Sequence, residues 1–256
     1  MLLDAPVTVP RLAVAKAWEW EQIGPAHPVL GVVDVWVEKD AAMRLDALTR
    51  QVLAEPGFFD LRADRITAEF RDLMLAVANA EAECYGWSSS GDRDRATLAV
   101  RAGRNAVLVI VEDELLTLTT IGANQLIRAV VEQLPDFPAA TITEFTVPKA
   151  EYDQGRVSDS YTLDTSSDYT RTSPEDRLRT LMESRRAASH QLFVAARPGG
   201  ARSASMPLTA LDSLDHGRVL TYLLDGPHGD VAIACGPGTA DYLTSALENT
   251  LGSLRG

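Results

Sequence analysis

Two stretches of this chain run through the same order of elements, and that repetition restricts its fold more than any single motif. Val7-Thr8-Val9-Pro10 precedes a helical stretch, and Phe145-Thr146-Val147-Pro148 precedes another. Farther on, Gly103-Arg104 opens an apolar strand over 105–111, a turn at Glu112-Asp113, a strand over 115–121 and a helix over 124–134. Gly217-Arg218 in turn opens a strand over 219–224, a turn over 225–229, a strand over 230–235 and a helix over 239–251. A Gly-Arg dipeptide alone carries no information, so the weight rests on the shared order. It predicts one domain over 1–256 with related halves, 1–140 and 141–256, under pseudo-twofold symmetry, and a broad sheet that serves as a surface for a partner.

Composition narrows the class. With 256 residues and 46% apolar side chains the chain can bury a sizeable core. A formal charge of -12 argues against nucleic acid, whose binding rests on cations neutralising phosphates, and suits a partner with a basic or polar surface. No positively charged start leads into an apolar segment, and no apolar run approaches the roughly 20 residues that a membrane helix needs. The expectation is therefore a whole cytoplasmic chain with no membrane insertion. Cys84 and Cys235 both sit in apolar strand-like segments, where a free thiol acts as a small hydrophobe, and nothing has the spacing of a zinc site.

Local patterns give a mixed α and β reading. Pro10 suits the first turn of a helix to about Ile23, with Leu12, Ala15 and Trp18 at helical spacing. Asp40 is the expected N-cap of a helix to about Ala54, ended by Pro56-Gly57, and a further helix is expected over 65–75. In 80–87 the alternation of Ala80, Ala82 and Cys84 with Glu81 and Glu83 predicts a half-buried strand with the two carboxylates on a solvated face. Residues 88–95 read as a polar loop, and 96–101 with 105–111 as a hairpin, so the pairing is antiparallel. The Ser/Thr/Asp/Tyr-rich stretch over about 153–173 reads as a flexible linker. Ser173-Pro174-Glu175-Asp176 then starts a helix to about Arg186, followed by strands over 191–196 and 206–212.

Catalytic chemistry finds little support in the residues. Gly86-Trp87-Ser88-Ser89-Ser90 has serine where a nucleophile elbow requires its second glycine. Neither a phosphate-binding loop nor a dinucleotide fingerprint is present, and Gly236-Pro237-Gly238-Thr239 reads as a strand turning into a helix. His27, His190, His216 and His228 are scattered, and none pairs at the spacing that places two ligands on one helix face. His228 lies in an acidic turn over 225–230. The reading has no catalytic residue, no metal and no cofactor.

Four stretches together resemble a known family: Val7 to Leu12; Ala96 to Val109; Leu134-Pro135 leading to Phe145-Thr146-Val147-Pro148; and Leu211-Asp212 through Gly217-Arg218-Val219-Leu220 to Cys235-Gly236-Pro237-Gly238-Thr239. In that order they resemble the EspG family, secretion-associated chaperones of mycobacterial and related actinobacterial type VII (ESX) systems. The resemblance covers nearly the whole chain. It implies an α+β fold: a central, twisted, largely antiparallel β-sheet flanked by two helical subdomains. It also implies a cytosolic chaperone without catalysis, which grips the helical tip of the PPE subunit in PE/PPE heterodimers and keeps it soluble for secretion. Covering exposed apolar residues at such a tip is what prevents self-association. The chain departs from the family at residues 88–95, which are serine-rich and charged where members carry a hydrophobic substrate-contacting loop.

Candidate partner-binding residues follow from that correspondence and from exposure: Trp87, Ser90, Asp92, Arg93 and Arg95 in or beside the loop, and Tyr242 and Glu248 on the final helix. An aromatic beside a polar loop has the character of an interface anchor. Competing readings are a small-ligand-binding protein or enzyme using a pocket on the sheet face, and a self-assembling protein; the expected state is monomer or homodimer.

Overall fold

The computed structural model describes residues 3–31, 38–91, 93–154, 173–226 and 229–255. In chain order the first half holds β1 (Val7–Pro10), α1 (Arg11–Trp20), α2 (Lys39–Ala54), β2 (Phe59–Asp60), β3 (Arg65–Ile66), α3 (Ala68–Ala78), β4 (Ala82–Ser90), β5 (Arg93–Ala102), β6 (Asn105–Glu112), β7 (Leu115–Ile121) and α4 (Leu126–Val131). The second holds β8 (Phe145–Pro148), α5 (Lys149–Asp153), α6 (Pro174–Glu183), β9 (Arg186–Ala196), β10 (Ser203–Ala204), β11 (Leu208–Ser213), β12 (Gly217–Asp225), β13 (Val231–Pro237) and α7 (Ala240–Ser253).

One large sheet runs β1-β7-β6-β5-β4-β9-β11-β12-β13-β8, with β10 added against β9. All of these strand pairs are antiparallel. Outward from the central β4–β9 pair, each side passes through the strands of one half and ends on its Thr-Val-Pro strand, β1 or β8. Val9 and Val147 are the buried residues of these two edge strands, and each strand's proline leads directly into a helix.

Side chains alternate across the sheet, so the register decides which layer each residue joins. Tyr85, Leu98, Val109 and Leu118 lie opposite one another on β4 to β7 and face α1 to α3. Leu211, Val219 and Cys235 share that face in the other half and pack with Leu178 and Leu181 of α6. Cys84, Ala99, Leu108, Val194, Ala210 and Leu220 point the opposite way, under α4 and α7. Both cysteines are buried and free. Burial pushes the Cys235 thiol up to about 11, so it stays protonated.

Several local expectations need correction. Lys39–Ala54 is capped by Glu38 without a side-chain bond, and Asp40 lies in the first turn, where its charge suits the helix dipole. Arg65 and Ile66 pair with Asp60 and Phe59, which delays the next helix to Ala68. Residues 88–91 and 93–95 lie at the outer end of the β4–β5 hairpin, with Ser88, Ser89 and Ser90 opposite Arg95, Asp94 and Arg93. The backbone ladder extends past the core regardless of side-chain polarity. Ser173 does cap its helix, accepting from the Asp176 N–H at 3.2 Å. Lys149–Asp153 is a short helix, and residues 155–172 of the expected linker lie outside the described residues, as does His228.

The closest approach in the sheet centre is at Gly86. A Cβ there would sit 2.5 Å from the Gln191 carbonyl oxygen and 2.8 Å from Leu192 Cδ2. Gly86→Ala is expected to destabilise the chain by about 2 kcal/mol through overpacking, read as a lowered thermal midpoint; an unchanged midpoint would mean that the two central strands separate without cost.

Candidate functional site

A row of side chains on one face crosses the sheet: Val9, Leu116, Val111, Ala96, Trp87, Gln191, Thr209, Thr221, Cys235 and Phe145. Its ends are covered by the α1–α3 layer and by α6, but the middle is reached by neither. There Trp87 is 37% exposed and Gln191 is exposed, at the floor of a cleft of about 660 Å³. The short 3₁₀ helix Pro28–Leu30, ending at Gly31, forms one wall with Arg11, and Ser89 and Asp94 line the hairpin side.

Trp87 is fixed by its neighbours. Its ring meets Tyr85 and Phe193 edge-on at 5.7 Å each, and those two rings stack on one another at 5.2 Å. Edge-on and stacked contacts of this kind order a ring at little conformational cost, which suits a preformed anchor. Arg202 lies over Tyr85 at 5.5 Å, and His27 meets Tyr85 edge-on at 4.8 Å.

Beside the aromatic group lies a charge cluster centred on Glu83, whose side chain is 1% exposed. Arg197 Nη1 donates to its Oε1 at 2.7 Å, Arg202 donates to Oε2 at 2.7 and 2.9 Å, and His27 Nε2 lies 3.4 Å from Oε2. The two carboxylates expected on a solvated face therefore part company: Glu81 is exposed, whereas Glu83 is the most enclosed acid of this layer. Burial alone raises its carboxyl pKa, but His27 and Arg202 outweigh that and hold it at about 2. A second buried acid, Asp212 on the opposite face, takes a bidentate contact from Arg218 at 2.5 and 2.8 Å and lies 3.1 Å from His190 Nε2. Arg218 also donates to the Pro135 carbonyl, tying the segment after α4 to β12. Among the described residues, no group of three or more His, Cys, Asp or Glu is arranged to hold a metal ion.

The candidate residues divide into two places. Trp87 is on the cleft floor, with Ser90 and Arg93 exposed at the hairpin tip; Asp92 lies outside the described residues. Arg95 belongs to the same hairpin, but its guanidinium is committed to Glu112 at 2.6 Å and to the Gln133 carbonyl at 2.8 Å. Tyr242 and Glu248 are on α7, which packs on the opposite face. Glu248 is exposed. Tyr242, expected to be exposed, is half-buried with its ring against Gly236, where a Cβ would meet the ring at 2.4 Å. The sequence did not single out Gln191, Phe193, His27 or Arg202 for this site; the one signal, for His27 and Arg202 alone, was the alternating Glu81-Glu83 pair, which requires buried cations if either acid faces inward.

The sequence profile of the EspG family matches residues 10–249. The chain belongs to the EspG family. Its fold is similar to that of the Mycobacterium tuberculosis type VII secretion system chaperone EspG5, solved in complex with a PE25–PPE41 dimer, with a TM-score of 0.70 and 16% identity over 97% of this chain and 96% of that one. No curated protein gives a significant sequence match. The expected α+β architecture, a large antiparallel sheet with helical layers, is the one observed in this EspG-family chain. Within the described residues no helix is long and apolar enough to cross a membrane.

The Glu83 cluster sets the acid response. The folded carboxyl lies near 2 against an ordinary 4.5, so its stabilisation is fully present above about 4.5 and is lost as pH falls toward 2. Asp212, also lowered, contributes with the same sign. Stability followed by circular dichroism is expected to fall over that window, with at most about 3 kcal/mol from Glu83. Glu83→Gln should flatten the fall while lowering stability at neutral pH; a wild-type curve level down to pH 2 would contradict the assignment.

Proposed function

We propose that this protein is a cytosolic chaperone of a type VII (ESX) secretion system, which binds helical substrates of the PE/PPE type and keeps them soluble for export. Family membership over residues 10–249 carries this reading, and a shared fold with a chaperone solved on a PE25–PPE41 dimer supports it. The sheet's strand order, read outward from β4 and β9, supports treating 1–140 and 141–256 as internal copies within one domain.

The binding surface is the open middle of the sheet face. Trp87 supplies a rigid aromatic anchor there, and Gln191, Ser89 and Asp94 supply a polar border. Ser90 and Arg93 extend the surface along the hairpin, Asp92 is proposed to join them, and Arg95 lines the cleft while holding the hairpin to the segment after α4. Tyr242 and Glu248, on α7, form no part of this face; any contact they make engages a different part of the partner. A polar-rimmed interface with one buried aromatic suits a chaperone, because the client must leave again. No catalytic step is assigned, and no cofactor is needed for such binding.

Co-purification of tagged protein from its native host, with mass spectrometry of bound proteins, tests the reading. A PE/PPE-like helical pair is the expected partner. Trp87→Ala should weaken that complex by at least about tenfold, the effect of losing an interface hot spot. Its thermal midpoint should fall as well, since the ring packs on Tyr85 and Phe193 and is only 37% exposed, so binding is compared at a temperature where the variant remains folded. Recovery of no such pair would overturn the assignment, and undiminished binding by Trp87→Ala would move the interface away from the cleft.

A further inference from the structure

The wall of the cleft is a structural problem in itself. Pro28–Leu30 is a single 3₁₀ turn, too short to hold its own position. Leu30 N–H bonds to the His27 carbonyl at 2.9 Å and Gly31 N–H to the Pro28 carbonyl at 3.0 Å. The Val29 N–H has only the His27 ring, whose Nδ1 accepts from it at 3.2 Å. An accepting Nδ1 carries no proton, so in the neutral ring the proton is on Nε2, the nitrogen 3.4 Å from Glu83 Oε2. Glu83 is immobilised in turn by Arg197 and Arg202, which come from the connection between β9 and β11 in the other half of the chain. Arg197 also donates to the Ala78 and Ala80 carbonyls at 3.1 and 2.5 Å, so the cluster is anchored to the end of α3.

We infer that Glu83 and His27 are positioning residues for the partner-binding cleft: Glu83 orients the His27 ring, and the ring holds the Pro28–Gly31 wall beside the Trp87 floor. This rests on reading the cleft as the client site. The same carboxylate reaches the floor by a second route, since Arg202 lies between Glu83 and the face of Tyr85, the ring that supports Trp87. Arginines of the second half thus set both wall and floor of a cleft built largely by the first half.

Amide hydrogen exchange of the full chain tests the wall, and dissociation of the co-purified PE/PPE-like pair from immobilised chaperone tests its consequence. His27→Ala should raise exchange at Val29 and the client off-rate by about fivefold, the effect of losing a helix cap. His27→Asn, whose short side chain can accept the same N–H, should restore both. Glu83→Gln keeps the cap residue but removes its orienting charge, and should raise Val29 exchange while core amides such as Val109 and Leu116 stay protected. If Glu83→Gln does not fold, Arg202→Ala, at the surface end of the cluster, replaces it with the same expectation. Unchanged Val29 exchange in Glu83→Gln and Arg202→Ala would overturn the inference. Trp87→Ala separates the two claims: if it leaves client binding intact the cleft is not the client site, yet Val29 exchange still decides what positions the wall. If Trp87→Ala weakens the client and His27→Ala does not, the cleft stands and the positioning role falls.

Discussion

The antiparallel pairing of β4 with β9 is the constraint from which the rest of this molecule follows. It joins strands about a hundred residues apart into one ladder of eight residue pairs, and without it the chain would form two separate sheets, of five and six strands, with open edges. Gly86 permits the approach, since any side chain there would run into the backbone of Gln191. The pairing makes one continuous sheet with no helix between β4 and β9. Each half brings helices that cover its own outer strands on one face, and on the seam they bury Glu83, Tyr85 and Ala195 but leave the end at Trp87 and Gln191 open. The exposure of Trp87 is therefore a consequence of topology.

Buried charge sits at the places where hydrophobic contact alone would leave the halves free to slide. Glu83 lies on the seam strand and draws its cations from the second half; Asp212 binds Arg218, which reaches back to Pro135 at the end of the first. An isolated buried carboxylate would cost far more than a core of this size could absorb, but bidentate arginine contacts satisfy its lone pairs and fix geometry. Such clusters add little net stability relative to an apolar core. What they add is a register: Glu83 meets Arg197 and Arg202 only when β9 lies against β4 as it does here.

Much of this fold was legible because its strands are apolar and its turns are marked. The segments 105–111, 115–121, 219–224 and 230–235 were readable from composition and became β6, β7, β12 and β13 with boundaries within a few residues. Ser173-Pro174 announced its helix through a capping side chain and a residue lacking the donor that a first turn wastes. The outer end of β4 was not legible, because Ser88, Ser89 and Ser90 have the composition of a loop while their backbone groups pair with β5. Glu83 misled for a related reason. Alternation with Ala82 and Cys84 looks like one wet face, yet the arginines that make burial possible follow 114 and 119 residues later. Trp87 was recognisable as a possible anchor from its own neighbourhood, whereas Gln191 and Phe193 joined it only through a pairing that no local pattern encodes.

That same long-range pairing explains how the proposed client surface avoids aggregating by itself. A bare aromatic patch on a sheet centre would be a liability, but here one exposed ring is backed by two others and ringed by Ser89, Ser189, Gln191 and Asp94. The hairpin beyond it is solvated on both sides and ends on a glycine turn flanked by Ser90 and Arg93, so it contributes hydrogen bonds and charge rather than apolar area. In the proposed role, affinity would be concentrated in a small aromatic centre, and the polar border would govern which helical tips are accepted. A client with a purely apolar tip would leave the border's donors and carboxylates unsatisfied, and one with polar groups flanking its apolar residues would not. Selection by the border would thus follow from a cleft whose centre is nonspecific.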